Sequence, residues 1–375
     1  MSMNLPNQGV VFWPVGNGDS TTICASPELM VQVDIRHLEA ADDDDDPRVA
    51  VIDHLVKLLP RRDGKPYLAV FALTHADEDH CLGFTELLDR VTIGELWHTP
   101  RLFADQPGEL CDDGKAFRRE AMRRVKKTID AKGGVESGDR VRIIGYDDLL
   151  GSDEFSGFPK AALTIPGSSI TTLDGRNAVG FFRAFVHAPF KGDSDGERNE
   201  TSFAMQVTLL NGDAVGRVLL LGDLNYPVLK KIFDLSDGED LAWDVLLAPH
   251  HCSKSAMYWA DDADDEETLR RDVLNLMELA SGSPGVIVSS SEPVPASNTP
   301  GDNPPHAKAK ARYEEIAPGG LACTADQENP IAFELTPAGF DPETMATAKL
   351  ATTVRDAVRA ARGSGAPPQD RVGFG

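Results

Sequence analysis

No stretch of this 375-residue chain is apolar for long enough to cross a bilayer, so a membrane-spanning helix is not expected. The opening Met1-Ser2-Met3-Asn4-Leu5-Pro6 lacks the basic start and apolar run of a secretion leader. Five cysteines, Cys24, Cys81, Cys111, Cys252 and Cys323, are scattered, odd in number and never spaced as Cys-x-x-Cys, so free thiols in a reducing cytoplasm are expected. No internal repeat is found. Positive charge is scarce as well: 37 Lys and Arg stand against 60 Asp and Glu, a formal net charge of −23. Proteins that grip long duplex DNA draw on phosphate neutralisation and counterion release, which needs a basic surface. The balance therefore argues against that class. It leaves room for a smaller phosphate-containing substrate held by local cations and metal.

What is present is a globular pattern. Hydrophobic residues make up 41% of the chain, enough for a sizeable core. Short apolar runs alternate with polar or helical stretches. The runs Gly9–Trp13, Met30–Asp34, Tyr67–Leu73, Gly180–His187, Phe203–Leu210, Arg217–Leu221, Asp244–Ala248, Val286–Ser289 and Ile331–Leu335 read as strands, several of them buried on both faces. Asn211-Gly212-Asp213 is a hairpin signal. Helices are expected at Arg48–Leu59, Thr85–Arg90, Lys115–Lys132, Tyr226–Phe233 and Glu266–Leu279. Two sheets sandwiched between helices, an α/β fold, fit this order.

Three segments stand apart. Asp42–Asp46 is a five-aspartate run before a helix, read as a solvated loop favoured by the helix dipole, with a cation site as the other reading. Lys115–Lys132 concentrates eight basic residues against Glu120 and Asp130. It follows Leu96-Trp97-His98-Thr99-Pro100, expected as a strand beside the 67–73 strand, so it can overhang a site there and focus a polyanion, or balance nearby acids as a solvated helix. Thr344–Arg362 reads as an Ala-rich helix and Gly363–Gly375 as a flexible tail.

The strongest chemical signal is Thr74-His75-Ala76-Asp77-Glu78-Asp79-His80, directly after the apolar run 67–73. A tight loop at a strand end can aim two imidazoles and two carboxylates at one point, a mixed shell that zinc and manganese both accept. Leu219-Leu220-Leu221-Gly222-Asp223 is a second buried strand ending in an acid, and the run 244–248 leads into Pro249-His250-His251. Strand ends on one edge of a sheet converge, so the three segments can reach one site. His98 reads as a structural loop residue, and His37 and His54 as surface residues.

These residues resemble the metallo-β-lactamase superfamily and, within it, a ComEC-like branch that shows His-x-Asp-x-Asp-His, as His75, Asp77, Asp79 and His80 do here. Val15-Gly16-Asn17-Gly18-Asp19-Ser20, Asp34, Asn199-Glu200-Thr201-Ser202, Leu221-Gly222-Asp223, Pro249-His250-His251-Cys252-Ser253, Pro305-His306 and Cys323-Thr324-Ala325-Asp326 extend the likeness from about Gly9 to Leu335. Cys252 departs from it, standing where the branch has Gly, and a separate His between the first motif and Asp223 is not evident; Asn199 or His187 lies in that region.

The resemblance implies an αββα sandwich spanning residues 5–340, with 115–132 as a basic helical insertion and 341–375 as a C-terminal helix and tail. It implies two divalent ions, zinc or manganese. His75 and Asp77 would serve one; Asp79, His80 and His250 the other; Asp223 would bridge them. His251 would be an outer or substrate-facing group. Asp79, His251 and Lys254 would take part in catalysis, and Asn199, Ser253, Lys254 and His306 would meet the substrate. The activity implied is phosphodiester hydrolysis by a metal-activated hydroxide, on nucleic acid or a nucleotide. Ester, amide or thioester hydrolysis, and a metal-binding interaction module without catalysis, are the alternatives. Protein partners are open, and no membrane is implied.

Overall fold

The computed structural model describes residues 4–341, apart from 43–45, 105–107, 194–196, 262–265, 299–302 and 328. The helix and tail expected beyond residue 341, and most of the aspartate run, lie outside the described residues.

The doubly apolar runs are explained by alternation. In the strand Lys65–Ala72 and the residue after it, Tyr67, Ala69, Val70 and Ala72 enter one apolar cluster, whereas Leu68, Phe71 and Leu73 enter another, with the alternation shifting by one at Ala69-Val70. In Trp243–Leu247, Val245 and Leu247 face that first cluster while Leu246 faces a third. Three cores separated by two sheets make four layers, and the molecule is an αββα sandwich.

Along the chain the first sheet takes β1 (Gly9–Phe12), β2 (Thr21–Ser26), β3 (Leu29–Val33), β4 (Lys65–Ala72), β5 (Thr92–His98), β6 (Arg140–Ile144) and β7 (Leu163–Thr164). The second takes β8 (Ser169–Ile170), β9 (Phe182–Ala188), β10 (Ala204–Asn211), β11 (Ala214–Leu220), β12 (Trp243–Leu247), β13 (Ser281–Ser289) and β14 (Leu321–Cys323). The chain then returns to the first sheet with β15 (Ile331–Thr336) and β16 (Gly339–Phe340). Spatial orders are β16-β15-β1-β2-β3-β4-β5-β6-β7 and β14-β13-β12-β11-β10-β9-β8. The outer layers include α1 (Val51–Leu58), α3 (Phe84–Arg90) and α4 (Asp112–Asp130) on the first sheet, and α5 (Tyr226–Leu235), α6 (Arg271–Ala280) and α7 (Ala307–Ile316) on the second; α2 (Glu78–Cys81) is a single turn.

Pairing direction positions the site. β3, β4 and β5 are mutually parallel, as are β11, β12 and β13. Their carboxyl ends therefore share an edge, where the loops after β3, β4, β11 and β12 carry Asp34, His75–His80, Asp223 and His250-His251.

The apolar runs all became strands, and the hairpin at Gly212 (φ +61°) joins β10 to β11. The polar, Thr-rich Thr21–Ser26, the charged Arg140–Ile144 and the helix Ala307–Ile316 carry no clean apolar period and were not expected. The helix expected from Glu266 begins only at Arg271, because Thr268–Leu269 pairs as a strand with Tyr258–Trp259. His37, expected at the surface, is buried beneath α3 at 6% exposure, and His54 is half-buried against Trp13. Among the described residues no helix is long and apolar enough to cross a membrane.

Candidate metal centre

Each histidine of the site has one ring nitrogen fixed by its own chain, leaving the other aimed inward. Thr74 donates its hydroxyl to Asp34 Oδ2 (2.6 Å) and so offers an oxygen to His75 Nδ1 at 3.1 Å. His80 Nδ1 lies 2.8 Å from Asp34 Oδ2, and His251 Nδ1 lies 3.1 Å from the Ser290 carbonyl oxygen. Acceptors at Nδ1 place the proton there, which leaves Nε2 as the open lone pair, the arrangement that orients metal-ligating histidines. The Nε2 atoms of His75, His80 and His251 are buried without a hydrogen-bond partner, and so is Asp223 Oδ1. Leaving four buried polar atoms unpaired is costly unless another group satisfies them.

They point at each other. Asp223, 3% exposed, sits at the centre. Its Oδ1 is 3.3 Å from His80 Nε2, and its Oδ2 is 3.4 Å from His251 Nε2, 3.7 Å from His250 Nε2 and 3.9 Å from His75 Nε2. Asp79 closes one side, with Oδ2 3.2 Å from His251 Nε2 and Oδ1 3.9 Å from His80 Nε2. Asp77 closes the other, with Oδ2 3.5 Å from His75 Nε2. Four ligands at ~2.0–2.1 Å from a tetrahedral ion lie about 3.3 Å from one another. The spacings within Asp79, His80, Asp223 and His251 fit one divalent cation, and the residues present suit zinc or manganese equally.

The two adjacent histidines exchange places relative to the expectation. His251 lies in the group with Asp79, His80 and Asp223; His250 and His75 approach the same Asp223 Oδ2, so His250 is the histidine available beside His75. The physical reason is the backbone. His250, His251 and Cys252 have φ of +49°, +52° and +65°, a left-handed run that turns the second ring, rather than the first, into the buried cleft. Non-glycine residues held this way store strain and cluster at functional sites. Gly at the position of Cys252 would adopt this conformation without strain.

Charge explains the rest. Burial opposes protonation of His80, but Asp223, Asp34 and Asp79 outweigh it and raise its pKa well above the usual histidine value. Burial likewise opposes protonation of His251, and Asp223 and Asp19 override it. Burial would raise Asp223 and Asp79; the neighbouring imidazoles instead hold both below the ordinary carboxylate range. The cluster demands positive charge. Protons supply it in the metal-free chain, and metal binding releases such protons.

No family model matches the chain, and neither does any curated protein. Solved structures similar to it include metallo-β-lactamases and a diiron enzyme. The Rm3 metallo-β-lactamase shares 13% identity, with 65% of this chain and 76% of that one covered at a TM-score of 0.35. CmlA, a diiron β-hydroxylase from Streptomyces venezuelae, shares 13% identity over 76% of this chain and 45% of its own, with a TM-score of 0.36. The class B3 di-zinc metallo-β-lactamase LRA-12, from an Alaskan soil metagenome, shares 10% identity over 74% and 90%, with a TM-score of 0.31.

The remaining candidates are placed as follows. Lys254 Nζ is turned to Glu267 Oε2 at 2.5 Å, and His306, 3% exposed, accepts from the Lys254 backbone N–H. Ser253 is buried and caps the turn after it. Asn199 begins a short 3-10 turn next to Arg198, whose Nε lies 2.9 Å from Asp77 Oδ1. His187 is distant in chemistry: Ser236 and the Asp240 carbonyl occupy both its nitrogens. Asp19, 3.4 Å from His251 Nδ1, and Arg198 carried no assigned role in the sequence; Asp19 belongs to the Gly-Asn-Gly-Asp run that did signal the site. The basic helix α4 balances acids: Arg123 pairs with Glu120 and Asp139, Lys127 with Asp139, Lys115 with Asp112, while Arg124 is buried against Glu120 and backbone carbonyls.

Proposed function

We propose that this chain is a hydrolase that uses a pair of divalent ions to cut a phosphodiester bond in a nucleotide or nucleic acid. The observation that carries the metal reading is the convergence of His75 Nε2, His80 Nε2, His251 Nε2 and Asp223 Oδ1, all buried and none with a partner in the protein. Asp79, His80 and His251 would hold one ion, and His75, Asp77 and His250 the other, with Asp223 available to both. Such ions would supply Lewis acidity and lower the pKa of water toward neutrality.

The chain's own residues orient and shield. Asp34 and Thr74 lock the His75 and His80 rings; Ser290 and Asp19 lock His251. Asp79, the most exposed acid beside His251 with its side chain 35% exposed, is kept ionised by His80 and His251 and would serve as a ligand rather than as a strong base. Two features support phosphate over an acyl group. The Arg198 guanidinium borders Asp77, and Arg101 lines the small cleft beside His75. The ComEC-like spacing of His75, Asp77, Asp79 and His80 points the same way.

The test is hydrolysis of bis-p-nitrophenyl phosphate, single-stranded DNA, RNA, cyclic nucleotides and a lactam with added manganese or zinc. Metal-dependent cleavage of a phosphodiester is expected. Lactam turnover with inert phosphodiesters would replace the substrate class, and no metal uptake would remove the centre altogether.

A further inference from the structure

Cys81 and Cys111 are brought together by the fold although thirty residues separate them. Cys81 is the last residue of α2, directly after His80; Cys111 is the N-cap of α4. Their Sγ atoms are 3.4 Å apart. A disulfide needs ~2.05 Å, so an approach of about 1.4 Å closes it. The pair is asymmetric. Cys81 is buried, and its one thiol proton can point either to the Asp77 carbonyl oxygen at 3.2 Å or to Cys111 Sγ. Cys111 is half-buried, accepts from the Gly114 backbone N–H at 3.3 Å and sits at the positive end of a 19-residue helix. The Cys81 thiol beside it, aided by the Gly114 and Asp113 backbone, lowers the Cys111 pKa to about 6. The other thiols differ: Cys24 and Cys252 are pushed up to about 12 by burial, and Cys323 is raised by burial too.

We propose that Cys81 and Cys111 are an oxidative modification site, closing reversibly into a disulfide that ties the metal-binding loop to α4. With a peroxide as oxidant, the Cys111 thiolate attacks the O–O bond, giving a sulfenic acid and one water. The Cys81 thiol then attacks that sulfur and expels a second water; two thiols are oxidised and two peroxides' worth of oxygen is not needed, since one peroxide is reduced to two waters. A dithiol reductant restores both thiols. Closure removes the Cys81 thiol proton, so none is left for the Asp77 carbonyl, and draws on the residue next to His80, so the oxidised loop holds metal less well.

The site itself is tested without metal. The full-length chain is treated with hydrogen peroxide, its remaining thiols are alkylated, and intact mass and peptide map are read. The expected product is lighter by two hydrogen atoms, cross-links Cys81 to Cys111, leaves Cys24, Cys252 and Cys323 alkylatable, and reverts with reductant. In Cys111→Ser no such product forms; in Cys81→Ser the oxidation stops at a sulfenic acid on Cys111. Alkylation of both thiols after peroxide, or a cross-link to another cysteine, overturns the proposal. Coupling is read by zinc competition against a chromophoric chelator: the oxidised chain should bind zinc about tenfold more weakly, as loss of an outer partner does, and peroxide should leave Cys111→Ser unchanged. Equal zinc affinity of both forms overturns the coupling. Failure of either form to bind zinc instead counts against the metal centre, and the mass readout stands apart from it.

Discussion

Two buried acidic clusters lie at opposite ends of the same strand, and only one is closed by the protein itself. At the start of β4, Asp174 accepts from Tyr67 (2.6 Å), Ser137 (2.5 Å) and Arg140 (2.9 Å), and Glu95 accepts from the Asp174 backbone N–H and from Arg142. At the far end, about 20 Å away at ~3.3 Å per residue, Asp223, Asp79 and Asp77 face imidazoles whose inner nitrogens have no partner. The first cluster is an ion-pair network that finishes the fold. The second is unfinished in the same terms: its inner ring nitrogens and Asp223 Oδ1 stay open, in a group that could hold a divalent cation. A buried polar cluster thus announces function by its open valences, not by its charge.

The contrast breaks most plainly at Asp223 and His80. His80→Ala and Asp223→Ala should each lower kcat on the responsive substrate about a thousandfold or more, over 4 kcal/mol of transition-state stabilisation. Elemental analysis should show lost metal in both variants. Full activity in either would mean that the open atoms are not ligands. His251→Ala should be more damaging to metal content than Lys254→Ala, which releases only Glu267.

Asp174→Ala asks the mirror question. It leaves Tyr67, Ser137 and Arg140 facing an uncompensated gap, and removing one partner of a buried pair costs about 3–5 kcal/mol. Denaturant unfolding should show that loss, with zinc affinity unchanged. Reduced zinc affinity would show that the two ends are coupled through β4.

Metal removal should affect the other end alone. With free ion a thousandfold above its dissociation constant, binding stabilises the fold by about 4 kcal/mol. Chelation should therefore lower the unfolding midpoint, and by the same increment in wild type and Asp174→Ala, since distant sites add. Unequal increments would again join the two clusters.

Much of this was legible in the sequence because it follows from local pattern. A doubly buried strand has to be apolar throughout, and Tyr67–Leu73 and Asp244–Ala248 are. The loop His75–His80 and the acid at Asp223 stood out because their residue types have one efficient joint use. What escaped was set by backbone direction and by tertiary partners. The exchange of His250 and His251 depends on three left-handed residues that no spacing reveals. The roles of Asp34 and Asp19 depend on which ring nitrogen they meet. Thr21–Ser26 and Arg140–Ile144 are strands because their polar groups find partners across the fold: Thr22 bonds Trp13 and Gln32, Arg142 bonds Glu95 and Thr164.

The mildest test uses a histidine that the chain closes completely. His187 Nε2 donates to the Asp240 carbonyl oxygen (3.1 Å), its Nδ1 meets the Ser236 hydroxyl (2.8 Å), and burial lowers its pKa to about 4 from the usual 6.5. Above pH 6.5 both folded and unfolded chains hold it neutral, and it contributes no pH dependence. As pH falls below 6.5 the unfolded chain takes up the proton first, so folded stability declines until about pH 4, by roughly 3 kcal/mol in total at 1.36 kcal/mol per unit. His187→Gln should remove that part of the decline. Urea midpoints of the two proteins should therefore converge, or cross, between pH 7 and pH 4.5. Parallel midpoints would mean that His187 is protonated in the fold. Zinc should leave the difference untouched, because this ring, unlike that of His251, has no nitrogen left to offer.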